Sequence, residues 1–292
     1  MDPLSRLYVF LNDNLVPLEK ATLHVSDLSI QRGYGVFDFF KVSDGHPFFL
    51  DDYLDRFYRS ASIMRLAVPY NADKLRGHIY RLIEKNNLAE SGIKMILTGG
   101  YSTDGYHPDV PNLILTQHPL ILPGKEVVEK GVKIITHEYV RDLPEAKTIN
   151  YSMGIWLDDK IKSAHAADVL YHQQGVVSEF PRCNFFIVTR EQKVITPAHA
   201  VLQGVTRKNV LKLASNKFVS EEATVTIDVV RSASEAFLTS TTKRVIPIVA
   251  IDGIPVGHGK PGPVSLSLLE DLVALESEDK RINARPQKFY GF

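Results

Sequence analysis

The chain has 292 residues, 44% of them apolar, which exceeds one average domain and is enough to bury the core of one large or two medium ones. Its 34 basic side chains balance its 34 acidic ones, so no global field exists to hold nucleic acid or an anionic membrane surface, and the expected partner is small or proteinaceous. A single cysteine, Cys183, excludes an internal disulfide and a cysteine-rich zinc site and suits a reducing cytoplasm. Met1 to Arg6 lack a charged region followed by an apolar one, and no apolar run approaches the roughly 18 residues of a membrane span, so a soluble, cytoplasmic chain is expected.

Leu7 to Phe10, the turn at Asn12 to Asn14 and the short run Leu15 to Pro17 read as a hairpin. Gly35 to Val42, rich in valine and phenylalanine, is a strand, and Ser43 to Gly45 turns it into His46 to Phe49. From Leu50 to Leu66 the apolar residues Tyr53, Leu54, Phe57, Ala61 and Met64 recur at spacings of three and four, which predicts a helix whose start Asp51 and Asp52 favour. A second amphipathic helix follows over 72–87, then strands at 94–98 and 112–117. His118 to Lys125 holds two prolines and a glycine and interrupts both periodicities.

Beyond that break, 132–135 reads as strand, 152–166 as helix, 168–188 as strands around the turn Gln173 to Gly175, and 206–214 as a helix opened by a glycine. Two further strands, 236–239 and 245–251, bracket the polar turn Ser240 to Arg244. The pattern is α+β: a small domain over 1–118, a linker over 119–126, a larger domain over 127–280 and a tail over 281–292.

Three segments carry chemistry, each weakly when taken singly. The turn Ser240 to Thr242 offers closely spaced hydroxyls and backbone N–H groups that suit a phosphate, although such residues are ordinary in turns. Gly204 to Arg207 opens a helix whose first N–H groups lie at the positive end of its dipole. Lys147 precedes a helix, a place that can hold a lysine, although most lysines are simply solvated.

Taken together and in order, Glu145 to Tyr151, Gly175 to Glu179 with Asn184 to Val188, Gly204 to Arg207 and Ser240 to Thr242 resemble the class IV aminotransferases, the fold-type IV pyridoxal-phosphate enzymes. Gly35 to Asp38 and Tyr53 to Arg56 join the resemblance, which spans nearly the whole chain and is greatest to the D-amino-acid aminotransferases. It implies a two-domain α+β fold with the active site in the interdomain cleft, and a homodimer. It also implies that Lys147 bonds the aldehyde of pyridoxal 5'-phosphate as an imine (Schiff base) and then moves the substrate's Cα proton. Glu179 faces the pyridine nitrogen, Tyr151 reaches the ring's phenolic oxygen, Leu202 supports the ring face, and Arg56, Val205, Thr206 and Thr241 hold the phosphate. No metal is implied.

Departures from the family bear on the substrate. The D-amino-acid enzymes place a carboxylate-binding arginine at the end of a strand that here reads Met95 to Gly100, with glycine where the arginine would stand, and Phe37 replaces their tyrosine. Arg182, in Phe180 to Cys183 where the family has small residues, and Arg32, in a loop that lines the family's site, are the candidate substitutes, with Phe37 and Thr242 completing the substrate pocket. A bidentate guanidinium fits a carboxylate; the alternatives are an internal ion pair for Arg182 and plain exposure for Arg32. The expected reaction moves an amino group between a D-amino acid and a 2-oxo acid of pyruvate or 2-oxoglutarate type. The alternatives are a branched-chain L-amino-acid aminotransferase, with which Tyr151 is shared, an aminodeoxychorismate lyase, and a non-catalytic binding protein of the same fold.

Overall fold

The computed structural model describes residues 6–283. Two mixed layers divide the chain. In the first half, β1 (Tyr8–Leu11), β2 (Asn14–Pro17), β3 (Gly35–Ser43), β4 (His46–Pro47), β5 (Glu90–Thr98) and β6 (Leu113–Pro119) form an antiparallel sheet in the order β2-β1-β6-β5-β3-β4. The short α1 (Leu28–Arg32) lies between β2 and β3, and α2 (Leu50–Ile63) and α3 (Ala72–Asn86) pack on the sheet.

Strand alternation lets this sheet build a core on one side and a cleft wall on the other, because successive side chains leave a strand on opposite faces. On β3, Val36, Phe40 and Val42 enter the core with Tyr53, Leu54 and Phe57 of α2. Asp38 shares that face and meets Arg56, also on α2. Phe37 and Phe39 take the opposite face, as do Lys94 and Ile96 of β5, and these four line the cleft between the halves of the molecule.

The second half contains α4 (Lys125–Lys130), β7 (Val132–Glu138), α5 (Ser152–Trp156), α6 (Asp158–Ser163), β8 (Val169–Gln173), β9 (Val176–Val177), β10 (Asn184–Val188), β11 (Val194–Pro197), α7 (Val205–Ser215), β12 (Ser220–Ala223), α8 (Ile227–Ser232), β13 (Glu235–Ser240), β14 (Arg244–Ile251), β15 (Ile254–Pro255) and α9 (Pro263–Asn283). Its strands follow the order β12-β11-β10-β13-β14-β7-β8-β9, with β15 on β14. Phe185, Ile187, Leu238 and Ile248 pack on one face of this sheet, and Phe186, Val188 and Phe237 on the other, beneath α7 and α9. The molecule is thus a two-domain α+β fold.

The helix expected over 152–166 is bent into α5 and α6. Leu157, buried at the bend, packs with Ile135, Val169 and Tyr171 and draws the chain inward there. The long α9 has no counterpart among the elements read from the sequence. Its buried stripe is Val264, Ser265, Leu268, Leu272 and Glu276, too polar to display a clear apolar period. Strands β6 and β7 belong to different sheets, and 120–124 runs between β6 and α4. Helix α9 continues through residue 283; the rest of the expected tail, 284–292, lies outside the described residues. Among the described residues, no helix is long and apolar enough to cross a membrane, and no group of His, Cys, Asp and Glu is arranged to hold a metal ion.

Candidate active site

Lys147 lies in the long connection between β7 and α5, and the other domain holds it in place. The Phe37 N–H donates to the Lys147 carbonyl at 2.8 Å, the Ile149 N–H donates to the Gly35 carbonyl at 3.1 Å, and Thr148 bridges Val36. The Lys147 N–H in turn donates to Ser60 Oγ at 3.1 Å. An otherwise irregular segment is therefore fastened as an extra strand on β3, with its side chain pointed at the cleft. The ammonium nitrogen sits 4.6 Å from the centre of the Phe37 ring. Burial, then the nearby positive charge of Arg56, depress its pKa to about 8, since a desolvated amine is more stable neutral.

Glu179 follows β9 at the inner wall and is 4% exposed. Its Oε1 accepts from Arg141 Nε at 2.8 Å and Nη2 at 2.6 Å, and its Oε2 accepts from the Leu202 N–H at 2.9 Å and Asn184 Nδ2 at 3.2 Å. Burial pushes this carboxyl above its ordinary range, while Arg141 and the Leu202 N–H pull it back. The Tyr151 ring meets Phe37 edge-on, with 5.6 Å between centroids, and burial raises its hydroxyl to about 12, so Tyr151 carries its proton at neutral pH.

The far end of the cavity is lined by Arg56, Gly204, Val205, Thr206, Thr239, Ser240 and Thr241. Arg56 Nε and Nη2 grip both oxygens of Asp38, at 2.9 and 2.5 Å. Tyr53 Oη and Thr241 Oγ1 share a hydrogen bond of 2.8 Å, which joins α2 to the turn after β13. Helix α7 starts at Val205 with no side-chain cap, and the first N–H groups of a helix have no intrahelical partner. Gly204 is required here by space: a Cβ would lie 2.1 Å from Asn184 Oδ1. Arg207, in the same motif, turns into the large domain and pairs with Glu222 at 2.7 Å.

The outer part of the cleft is a cavity of about 550 Å³ between Phe37, Ile96, Ile149, Arg182, Thr242 and their neighbours. Among the expected site residues, Lys147, Arg56, Tyr151, Glu179, Leu202, Val205, Thr206, Thr241, Arg182, Phe37 and Thr242 all border the two connected spaces. Arg182 is exposed and lines both. Arg32 is not among the cleft-lining residues of its own chain. It ends α1, exposed, with Nη1 on the Gln31 carbonyl. Sequence reading missed Asp38 as the partner of Arg56, Lys94 on the cleft wall, and Arg141, whose position six residues before Lys147 carries no motif.

A sequence profile described as "Amino-transferase class IV" matches residues 35–251, the span that contains Lys147, Glu179, the start of α7 and Thr241. The chain is a class IV aminotransferase. Among curated relatives, a D-alanine aminotransferase of Listeria monocytogenes serotype 4b (strain F2365) is 30% identical over 269 residues, covering 89% of this chain and 93% of the relative. A D-alanine aminotransferase of Bacillus licheniformis is 28% identical, covering 88% and 93%. Among solved structures, a T.th. branched-chain amino acid aminotransferase with pyridoxamine 5'-phosphate superposes with a TM-score of 0.87 at 25% identity, over 94% of this chain and 97% of that one.

The cofactor of this aminotransferase is pyridoxal 5'-phosphate, and the donor set fits it. One end of the cavity has a desolvated lysine amine, a carboxylate stands on the inner wall, and the other end combines a guanidinium, a helix N-terminus and hydroxyls, which suit a phosphate dianion. Thr239 Oγ1 is buried at that end without a hydrogen-bond partner among the described residues, a cost that a polar ligand relieves.

Proposed function

We propose that this class IV aminotransferase moves the amino group of a D-amino acid to a 2-oxo acid of the pyruvate or 2-oxoglutarate type, with Lys147 as the attachment point of the cofactor and the group that moves the substrate's Cα proton. The observation that carries this reading is the half-buried Lys147, whose amine is desolvated and depressed to about 8, in a cavity that also holds the Glu179 carboxylate and a phosphate-type cradle. Pyridoxal phosphate, when bound, supplies an aldehyde that takes up the amino group and a ring that spreads the electron pair left as Cα loses its proton.

Each side chain has a task that follows from its surroundings. The pKa of Lys147, about 8, lies near working pH, so its nitrogen when deprotonated accepts a proton from Cα and returns one on the other side of the transfer. Glu179, held by Arg141, Asn184 and the Leu202 N–H, presents negative charge to the pyridine nitrogen and favours its protonation. Tyr151 keeps its proton and donates to the phenolic oxygen, and Leu202 covers the ring face. Arg56, Val205, Thr206 and Thr241 anchor the phosphate. Phe37, Ile96 and Ile149 wall the outer cavity with apolar surface that limits water near the reacting carbon.

Arg182 binds the substrate carboxylate in this reading. It lines the outer cavity beside Thr242, and no hydrogen bond or ion pair with the described residues occupies its guanidinium. Arg32 joins it from the neighbouring subunit of a homodimer, a reading supported by its exposure at the end of α1 close to the exposed Val25 and Ile30. The single free cysteine, Cys183, suits a cytoplasmic setting. Curated relatives named D-alanine aminotransferase support the D configuration. The superposition on a branched-chain enzyme supports an L-branched-chain donor as the second reading. A screen of D- and L-amino acids for 2-oxo acid formation decides between them: D-alanine turnover without L-leucine turnover is expected, and the reverse overturns the proposal.

A further inference from the structure

We infer that Arg141 is a positioning residue for the transamination: it holds Glu179 in its ionised form and fastens that carboxylate to the backbone immediately ahead of Lys147. All three guanidinium nitrogens are committed. Nε and Nη2 both donate to Glu179 Oε1, at 2.8 and 2.6 Å. Nη2 also donates to the Pro144 carbonyl at 2.5 Å, and Nη1 donates to the Ala146 carbonyl at 3.1 Å. Side-chain exposure is 13% for the arginine and 5% for the glutamate, so neither charge has water in place of the other.

The geometry links two parts of the site that sequence keeps apart. Glu179 stands on the inner wall after β9, whereas Pro144 and Ala146 form the turn that delivers Lys147. A guanidinium cannot lose its proton in a protein, so Arg141 supplies a fixed positive charge at every working pH. Without it, a fully desolvated carboxyl takes up a proton and stops favouring a protonated pyridine nitrogen. The fork also leaves Glu179 Oε2 to Asn184 and the Leu202 N–H, so the carboxylate plane is set by three residues and cannot rotate as Lys147 works. The Lys147 turn meanwhile is gripped from two sides, by Arg141 on its carbonyls and by β3 on its strand edge.

This inference rests on the transaminase reading, but its first test is read without substrate. Full-length protein carrying 13C-labelled glutamate is titrated with and without pyridoxal phosphate, and subtraction of the Glu179→Gln spectrum assigns the resonance. Wild type is expected to show Glu179 ionised at pH 7 in both states. In Arg141→Met its midpoint rises above that of wild type, and the half-reaction with amino donor slows by about the same factor as in Glu179→Gln, on the order of 10²-fold. Adding Glu179→Gln to Arg141→Met then costs little more, because both act through one carboxylate. Arg141→Lys restores the ionised Glu179, since it keeps the charge, yet releases cofactor faster than wild type, since an ammonium cannot grip the carboxylate and both carbonyls together. A wild-type Glu179 titration in Arg141→Met, or losses that multiply in the double variant, overturns the charge-holding role. Wild-type cofactor retention in Arg141→Lys overturns the tie to the Lys147 turn, and it can be measured even if Arg141→Met does not fold. A protein that turned over no amino acid defeats the transaminase reading, while the Glu179 titration still stands as measured.

Discussion

The backbone N–H of Phe37 donates to the carbonyl of Lys147 at 2.8 Å, and the same two residues meet again through their side chains, with the Lys147 nitrogen 4.6 Å from the centre of the Phe37 ring. A strand of the first sheet thus holds the segment that carries Lys147. Replacing Lys147 by alanine leaves this backbone bond in place but removes the amine. Lys147→Ala is expected to fold, to lose turnover and to lose covalent cofactor. Borohydride reduction of the wild type followed by peptide mapping checks the site: reduced cofactor on any other lysine refutes the assignment.

The depressed pKa of Lys147 makes a pH prediction with a definite sign. Only the neutral amine attacks an aldehyde, and with a pKa of about 8 about one molecule in ten is neutral at pH 7. The rate at which cofactor-free protein captures pyridoxal phosphate should therefore rise about tenfold per unit below pH 8 and level off above it. The same shift affects stability. The unfolded chain binds this proton between about pH 8 and 10.5 while the folded protein has released it, so stability of the cofactor-free protein rises with pH across that window. Stopped-flow absorbance from pH 6 to 10 reads the capture rate, and a midpoint near 10 would show that Lys147 is not buried as described.

Arg56 pairs with Asp38 and, in the proposed reading, also anchors the phosphate; a pair of variants separates the two. Its partner Asp38 is completely buried, so Arg56→Ala strands a charge and should destabilise the fold by about 3–5 kcal/mol. Adding Asp38→Asn removes the stranded charge and should recover most of that stability. Cofactor affinity should stay low in both variants, because the phosphate has lost its guanidinium. Chemical denaturation and pyridoxal-phosphate titration measure the two effects, and recovery of affinity along with stability would take Arg56 out of the phosphate site.

Glu179→Gln keeps the shape of the inner wall but removes the charge. Phosphate affinity should persist, and the loss should fall on kcat, on the order of 10²-fold, since a neutral amide does not favour a protonated pyridine nitrogen. Wild-type half-reaction rates in this variant would exclude Glu179 from that role.

Arg182→Ala tests carboxylate recognition. A charge-assisted hydrogen bond contributes roughly 1.5 to 3 kcal/mol, so kcat/KM for amino acids should fall by roughly 10- to 150-fold, with cofactor affinity nearly intact. Amines without a carboxylate should be little affected. Arg32→Ala should act in the same direction and, if the proposed homodimer forms, a mixed dimer with one altered subunit shows which chain's site it serves. Equal losses for both substrate types would assign Arg182 a structural role.

Elements with strong periodicity and the ordered motifs that carry the family resemblance were legible in the sequence by itself. The spacing of Tyr53, Leu54, Phe57 and Ala61 specified α2, and the ordered series from Lys147 through Glu179 and Gly204 to Thr241 specified the cofactor, because local patterning and a reaction's demand for particular side chains are both written along the chain. Only the tertiary structure decided what depends on residues distant in sequence. It brought Arg141 onto Glu179 across 38 positions, put Asp38 beside Arg56, and laid α9 over the large sheet with a buried stripe too polar to announce itself. It also set Arg32 outside its own cleft while leaving Arg182 inside. Desolvation and pairing depend on what surrounds a charge in space, and a linear sequence does not say which charges will share the same dry pocket.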